Sequence, residues 1–318
     1  MLNFVSTHDV ANIKSLVQKG IFYKQNPLVD HNIGEGKRMG LLFMNPSLRT
    51  RISTQIAAEN LGMQTYVLNV GKDNWQLEFE DGAIMDGATV EHIKDAAPIL
   101  GEYFDLIGLR TFPGLVDKAV DYSEHIIKSL QKYAHKPVVS LESATLHPLQ
   151  SLADIISIQE TFKEKRKPKI VLTWAPHIKP IPQCVANSFA QWVNAWGESD
   201  FVITHPEGFE LDTVYTDGAT IEYDQEKALQ DADFVYIKNW SSYQDYGKVM
   251  SGASSWMMTQ KHLDLTHDAK VMHCLPVRRN VEVSDEILDS PNCITKLQAT
   301  NRVWAAQAVL SEILKPSI

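Results

Sequence analysis

Eight short apolar runs recur along the chain with helical stretches between them: Leu41–Met44, Thr65–Leu68, Leu106–Leu109, Val138–Leu141, Ile170–Thr173, Phe201–Thr204, Phe234–Ile237 and Val271–His273. Strands that alternate with helices predict parallel sheets, because each crossover must return the chain to the same edge of the sheet. The intervening stretches carry helical spacing, for example Ile52, Ile56 and Leu61, or Val303, Ala306, Leu310 and Ile313. Eight strands divide naturally into two open sheets of about four. The expectation is an α/β chain with two doubly wound parallel-sheet domains joined by helices. Residues 1–150, completed by a C-terminal helix over 300–318, form the first domain, and 151–299 the second. Leu149–Lys163 reads as a joining helix, and the charged run Lys163–Lys167 as its solvated end.

A formal net charge of -9 argues against a general nucleic-acid binder, since counterion release rewards a basic face. Basic residues are then of interest where they cluster, as a site for a small anion. No apolar run is long enough to span a bilayer and the first residues do not read as a signal peptide, so no membrane partner and a cytoplasmic location are expected. Cys184, Cys274 and Cys293 lack paired-ligand spacing, which supports neither a disulfide framework nor a zinc site. Gly-x-Gly-x-x-Gly, Gly-Lys-Ser/Thr and His-Glu-x-x-His patterns are also missing, which weakens dinucleotide, ATP and metalloprotease readings.

The most informative stretch is Phe43-Met44-Asn45-Pro46-Ser47-Leu48-Arg49-Thr50-Arg51. It reads as the end of a strand followed by a helix, with Ser47 as N-cap. A hydroxyl, first-turn N–H groups and two guanidinium groups around a helix start suit a phosphate. Other unusual polar residues also follow predicted strands: Arg110, then Glu142 with His147 and Gln150, then His177 and Asn187, Lys238, and Cys274 with Arg278. Singly each is ordinary at a strand end. Together they describe a ligand site at the carboxyl ends of the strands.

Three of these segments, Ser47-Leu48-Arg49-Thr50-Arg51, His147-Pro148-Leu149-Gln150 and His273-Cys274-Leu275-Pro276, resemble the signatures of the aspartate/ornithine carbamoyltransferase family, in its order and spacing. The resemblance is closest to the branch that acts on N-acylated ornithine, through Asn45-Pro46-Ser47, Trp174-Ala175-Pro176-His177 and Arg278-Arg279-Asn280. It implies that Ser47, Leu48, Arg49 and Thr50 hold the phosphate of carbamoyl phosphate, joined by Trp75 of a neighbouring subunit in a homotrimer with shared sites. Arg110, His147, Gln150 and Arg302 would surround the carbamoyl group, and Cys274 and Leu275 would lie beside the attacking amine. Glu142, His177, Asn187, Lys238 and Arg278 would hold the acylornithine. Arg110, His147 and Cys274 are the implied catalytic residues, and no metal or organic cofactor is required. The resemblance further implies a knotted crossing at the proline-rich loop Pro176–Pro182.

The segment Ile237-Lys238-Asn239-Trp240-Ser241 departs from plain ornithine carbamoyltransferases, in which an aspartate meets the free α-ammonium. A lysine there suits an acylated, uncharged α-nitrogen. In the family's N-acetylornithine enzymes the position aligned with Val90 carries a glutamate, which would repel a succinyl carboxylate. Val90 removes that repulsion, although an alignment shifted by one would put Glu91 there. The implied substrate is N-succinylornithine, with N-acetylornithine next and ornithine third. A non-catalytic small-anion sensor is the reading from a different class, and intact His147, Gln150 and Cys274 argue against it.

Overall fold

The computed structural model describes residues 1–249 and 254–315. It divides into two compact units, one made of residues 1–114, 119–149 and 302–318, the other of 115–118 and 150–301. The division falls inside two helices, Pro148–Thr161 and Thr295–Leu314. The last residues of the expected 300–318 helix, 316–318, lie outside the described residues.

The first unit contains β1 (Arg38–Phe43), β2 (Gln64–Asn69), β3 (Leu77–Glu78), β4 (Glu91–His92), β5 (Leu106–Arg110) and β6 (Val138–Glu142). Its main sheet is parallel in the order β2-β1-β5-β6, and β3 and β4 form a separate short ribbon. The central strands are buried almost throughout, as expected where helices cover both faces. The exposed edge of β6 is covered by the N-terminal segment: Phe4 N–H donates to Val138 O at 2.9 Å, and Ser140 N–H to Phe4 O at 2.8 Å. Ile107, Leu109, Ile127, Leu130 and Ala134 lie in one apolar cluster, and each large side chain so buried contributes ~1.5–3 kcal/mol. Helices Ile93–Tyr103 and His125–Ala134 meet closely at Gly101, where an added Cβ would lie 2.1 Å from the carbonyl oxygen of Ala134.

The second unit contains β7 (Lys169–Trp174), β8 (Asp200–Thr204), β9 (Thr220–Glu222), β10 (Phe234–Lys238) and β11 (Lys270–Met272), parallel in the order β11-β10-β7-β8-β9. The fold class is the expected one. The second sheet has five strands rather than four. The extra strand, β9, is a three-residue edge piece, largely exposed, and so has no apolar run to announce it.

Topology selects the functional ends. In the first sheet the chain leaves β1 for β2 on one side and returns to β5 on the other, so β1 and β5 flank a switch point. In the second sheet β7 and β10 do the same. At a switch point the connections diverge and leave a crevice beyond the strands' carboxyl ends. Ser47 follows β1 and Arg110 ends β5; His177 follows β7 and Lys238 ends β10.

Candidate active site

The helix after β1 begins at Arg49. Leu48 occupies the N-cap position, with φ -98° and ψ -64° and no side-chain cap, so the expectation that Ser47 caps this helix is corrected. The Ser47 hydroxyl is engaged elsewhere: Arg110 Nη1 donates to Ser47 Oγ at 2.7 Å and to Thr50 Oγ1 at 3.0 Å. A charge-assisted bond outcompetes a neutral cap, and Asn45 Oδ1 helps to set the turn by accepting from Phe112 N–H at 2.8 Å. Leu48 has an exposed side chain, so any contact with a phosphate there would come from its backbone N–H. Arg49 is half-buried at the helix start. A cavity of about 200 Å³ opens beside this turn, lined in part by Pro46, Ser47, Arg51 and Lys72.

Arg110, at the end of β5, also pairs with Glu142 at the end of β6, Nη2 to Oε2 at 3.1 Å, and lies over the Phe112 ring. Arg302 donates to Thr50 Oγ1 and lies 3.4 Å from His147 Nε2. His147 Nε2 is 3.5 Å from Glu142 Oε2. One unit thus gathers Ser47, Thr50, Arg110, Glu142, His147 and Arg302. Glu142, which the resemblance assigns to the acylornithine, pairs here with Arg110 and lies beside His147.

Burial, reinforced by the charges of Arg302 and Arg110, holds the His147 imidazole well below its ordinary value of 6.5. It is neutral at pH 7, and a neutral imidazole keeps one N–H to donate without adding to the positive charge. A depressed histidine means that the unfolded chain takes up a proton below pH 6.5 that the folded chain refuses. Stability therefore falls as pH drops below 6.5. His147→Gln is expected to reduce the pH 5–6.5 slope of the unfolding free energy, by at most about 1.4 kcal/mol per pH unit, the value for one proton. Urea titrations of both proteins across that range measure the difference.

Glu124 is a residue that the sequence did not reveal. It sits in the left-handed region (φ 54°) before helix His125–Ala134, and its carboxylate accepts from Ser143 Oγ at 2.5 Å, Thr145 N–H at 2.8 Å and Ala144 N–H at 3.3 Å. It therefore fastens the turn that joins Glu142 to His147.

The second unit carries the other strand-end residues. Arg278 Nε donates to His177 Nε2 at 3.1 Å, and His177 Nδ1 lies 2.9 Å from Lys179 O and 3.1 Å from Lys179 N. Lys238 is buried at the end of β10. Glu282, also buried, accepts from Arg278 N–H at 2.8 Å and faces His273 Nε2 at 3.4 Å. Despite its burial, hydrogen bonding to His273 and the charges of His273 and Lys238 bring its carboxyl down to about 2. Glu282 thus offsets part of the charge of Lys238, and the lysine's repulsion of an ammonium is weaker than the sequence alone suggests. Arg279 is held by Asp285 and Asp289 at 2.7–2.9 Å. Asn187 is fully buried on helix Cys184–Trp196.

Trp75, about half exposed, donates Nε1–H to Glu91 Oε2 at 2.7 Å, and Val90 is 64% exposed. Among the described residues, only Glu164, Asp233 and His267 bring three ligand atoms of the kinds that hold metals close together. That place already holds a cation: Arg166 bonds Asp233 twice at 2.6 Å and Glu164 at 2.7 Å.

Residues 3–160 match the family model of the aspartate/ornithine carbamoyltransferase carbamoyl-P binding domain, and residues 183–313 that of the Asp/Orn binding domain. The chain belongs to the aspartate/ornithine carbamoyltransferase family. It is a carbamoyltransferase. N-succinylornithine carbamoyltransferase of Bacteroides fragilis is 44% identical over 317 residues, 99% of each chain. N-acetylornithine carbamoyltransferase of Xanthomonas campestris pv. campestris is 35% identical over 336 aligned positions, 99% of this chain and 98% of its own. Acetylornithine transcarbamylase complexed with acetylcitrulline superposes with a TM-score of 0.92 at 34% identity, covering 99% of this chain and all of that one. A glutamate-to-alanine variant of N-acetyl-L-ornithine transcarbamylase, complexed with carbamyl phosphate and N-succinyl-L-norvaline, gives 0.91 at 35%, covering 98% and 100%. Among the described residues no helix is long and apolar enough to cross a membrane.

Proposed function

We propose that this carbamoyltransferase moves the carbamoyl group of carbamoyl phosphate to the δ-amine of N-succinyl-L-ornithine, giving N-succinyl-L-citrulline and phosphate in arginine biosynthesis. It does so as a cytoplasmic homotrimer whose sites share Trp75. The observation that carries the reaction is the meeting of Arg110 and Arg302 on the Thr50 hydroxyl at the start of a helix, beside a neutral His147. As the amine attacks, charge builds on the carbonyl oxygen and on the departing phosphate. Fixed donors at those two places stabilise the transition state more than the ground state. Arg110 and His147 serve the carbonyl oxygen; Arg49, Thr50 and the helix start serve the phosphate. Gln150 and Leu275 complete the carbamoyl pocket, and Cys274 lies beside the amine, which must give up a proton before it attacks. Glu142, His177, Asn187, Lys238 and Arg278 hold the acylornithine.

The succinyl preference is supported by the 44% relative and by Val90, which brings no carboxylate to the acyl group. Glu91, the alternative at that position, already has its carboxylate on Trp75 Nε1. N-acetyl-L-ornithine is the second reading, favoured by the TM-score of 0.92 with the acetylornithine enzyme. Assays with ornithine, N-acetylornithine and N-succinylornithine separate the three substrates, and preference for the acetyl compound would overturn the first reading. Val90→Glu is expected to lower activity on N-succinylornithine about tenfold or more and to raise it on N-acetylornithine. Two carboxylates about 5 Å apart at an effective dielectric near 20 oppose each other by a few kcal/mol.

A further inference from the structure

Asp154 is completely buried on helix Pro148–Thr161, one turn beyond Gln150. Its Oδ1 accepts from Gln150 Nε2 at 2.8 Å and from Gln298 Nε2 at 2.9 Å. Gln298 in turn uses Oε1 to accept from His273 N–H at 2.9 Å, and His273 Nδ1 accepts from Leu275 N–H at 2.9 Å. One carboxylate oxygen therefore gathers an amide from the His147–Gln150 segment and another that holds the His273–Leu275 segment. Asp154 also borders the hydroxyl of Tyr236, fully buried on β10 and next to Cys274. Burial first, then Asp154 and Cys274, push that phenol well above its ordinary value, so it stays protonated.

A glutamine amide has a donor end and an acceptor end of nearly the same shape, and only its surroundings decide which points where. A carboxylate only accepts, so Gln150 must turn its NH2 to Asp154 and its carbonyl oxygen away. Turning the amide over would set two oxygens against each other in a buried place. We propose that Asp154 is a positioning residue that fixes the Gln150 carbonyl oxygen as the acceptor for the NH2 of the carbamoyl group. The inference rests on the reading that Gln150 meets carbamoyl phosphate. An acceptor oxygen held in this way tells an NH2 from a methyl, which the N–H groups of Arg110 cannot do. Acetyl phosphate has the same shape and a methyl in that place, so it is the natural probe.

Calorimetric dissociation constants for carbamoyl phosphate and acetyl phosphate test this without turnover. The unmodified protein should bind carbamoyl phosphate about tenfold more tightly or better. Asp154→Leu, which removes the acceptor while filling the space, should cut that ratio below about threefold and change acetyl phosphate binding less than about twofold. Asp154→Asn keeps an acceptor oxygen and should keep most of the ratio. If Asp154→Leu does not fold, Asp154→Ser, whose hydroxyl tolerates either amide orientation, should lower the ratio in its place. A folded Leu or Ser variant with the ratio of the unmodified protein overturns the proposal and leaves the proposed function standing. So does a variant that weakens both ligands equally, since that is a general structural effect. An unmodified protein that binds the two ligands alike overturns the assignment of Gln150 and the proposal with it.

Discussion

Arg49→Ala will leave a folded protein whose carbamoyl transfer falls by about 10²–10³-fold or more. Arg49 lies at the first turn of the helix that follows β1, half-buried, one residue before the Thr50 hydroxyl that Arg110 and Arg302 share. On the proposed function, removing it takes a charge-assisted contact from the phosphate while leaving the central strands of the sheet and their apolar cluster untouched. The loss should appear in kcat as well as in KM, because the phosphate gathers charge as it leaves. Circular dichroism and thermal melting should show native structure. A folded Arg49→Ala enzyme with near-normal turnover would contradict the assignment of this helix start to the phosphate.

Trp75 gives the second large effect. The indole is half exposed, and its N–H is tied to Glu91, so it has little to gain by packing within its own chain. If it completes a neighbour's site, Trp75→Ala and Arg49→Ala will each be nearly inactive alone, and mixed assemblies of the two will regain activity. Each site in a random mixture draws Arg49 from one chain and Trp75 from another, so about a quarter of the interfaces will carry both intact residues, and recovery should approach that share. The readout is specific activity after subunit exchange, with hybrids demonstrated by differently tagged chains. Verified hybrids that show no recovery would mean that each site is built from one chain.

Much of the architecture is legible in the sequence because a strand buried on both faces must be apolar throughout. β1, β5, β6, β7 and β10 all announce themselves in this way, and β9 does not because it is a short exposed edge. Residues at strand ends were legible for a related reason: a charged side chain that follows a buried strand is conspicuous. Arg110, Glu142 and Lys238 belong to this class.

Positioning residues were hidden. Asp154 is a carboxylate among Leu152, Ala153, Ile155 and Ile156 on one helix, and its i,i+4 relation to Gln150 was the available signal. Glu282 stands four residues beyond Arg278, where a charge in a polar loop looks ordinary. Glu124 carried no signal, because its left-handed backbone and its four acceptor bonds to the 143–145 turn arise from segments about twenty residues apart.

The sequence by itself determined the alternation of strand and helix, the helix start rich in hydroxyl and guanidinium groups and the three segments that carry the family resemblance. These depend on local spacing and residue type. Only the tertiary structure decided how the polar groups are shared. It gave the Ser47 hydroxyl to Arg110 rather than to the helix cap, set Glu142 against Arg110 and His147, spent Arg279 on two aspartates, and turned the amides of Gln150 and Gln298 onto Asp154. The physical reason is that a buried polar group must find a partner, and the chain offers several within reach along the sequence. Which one is met depends on strand order and helix packing, which bring together groups as far apart as Thr50 and Arg302.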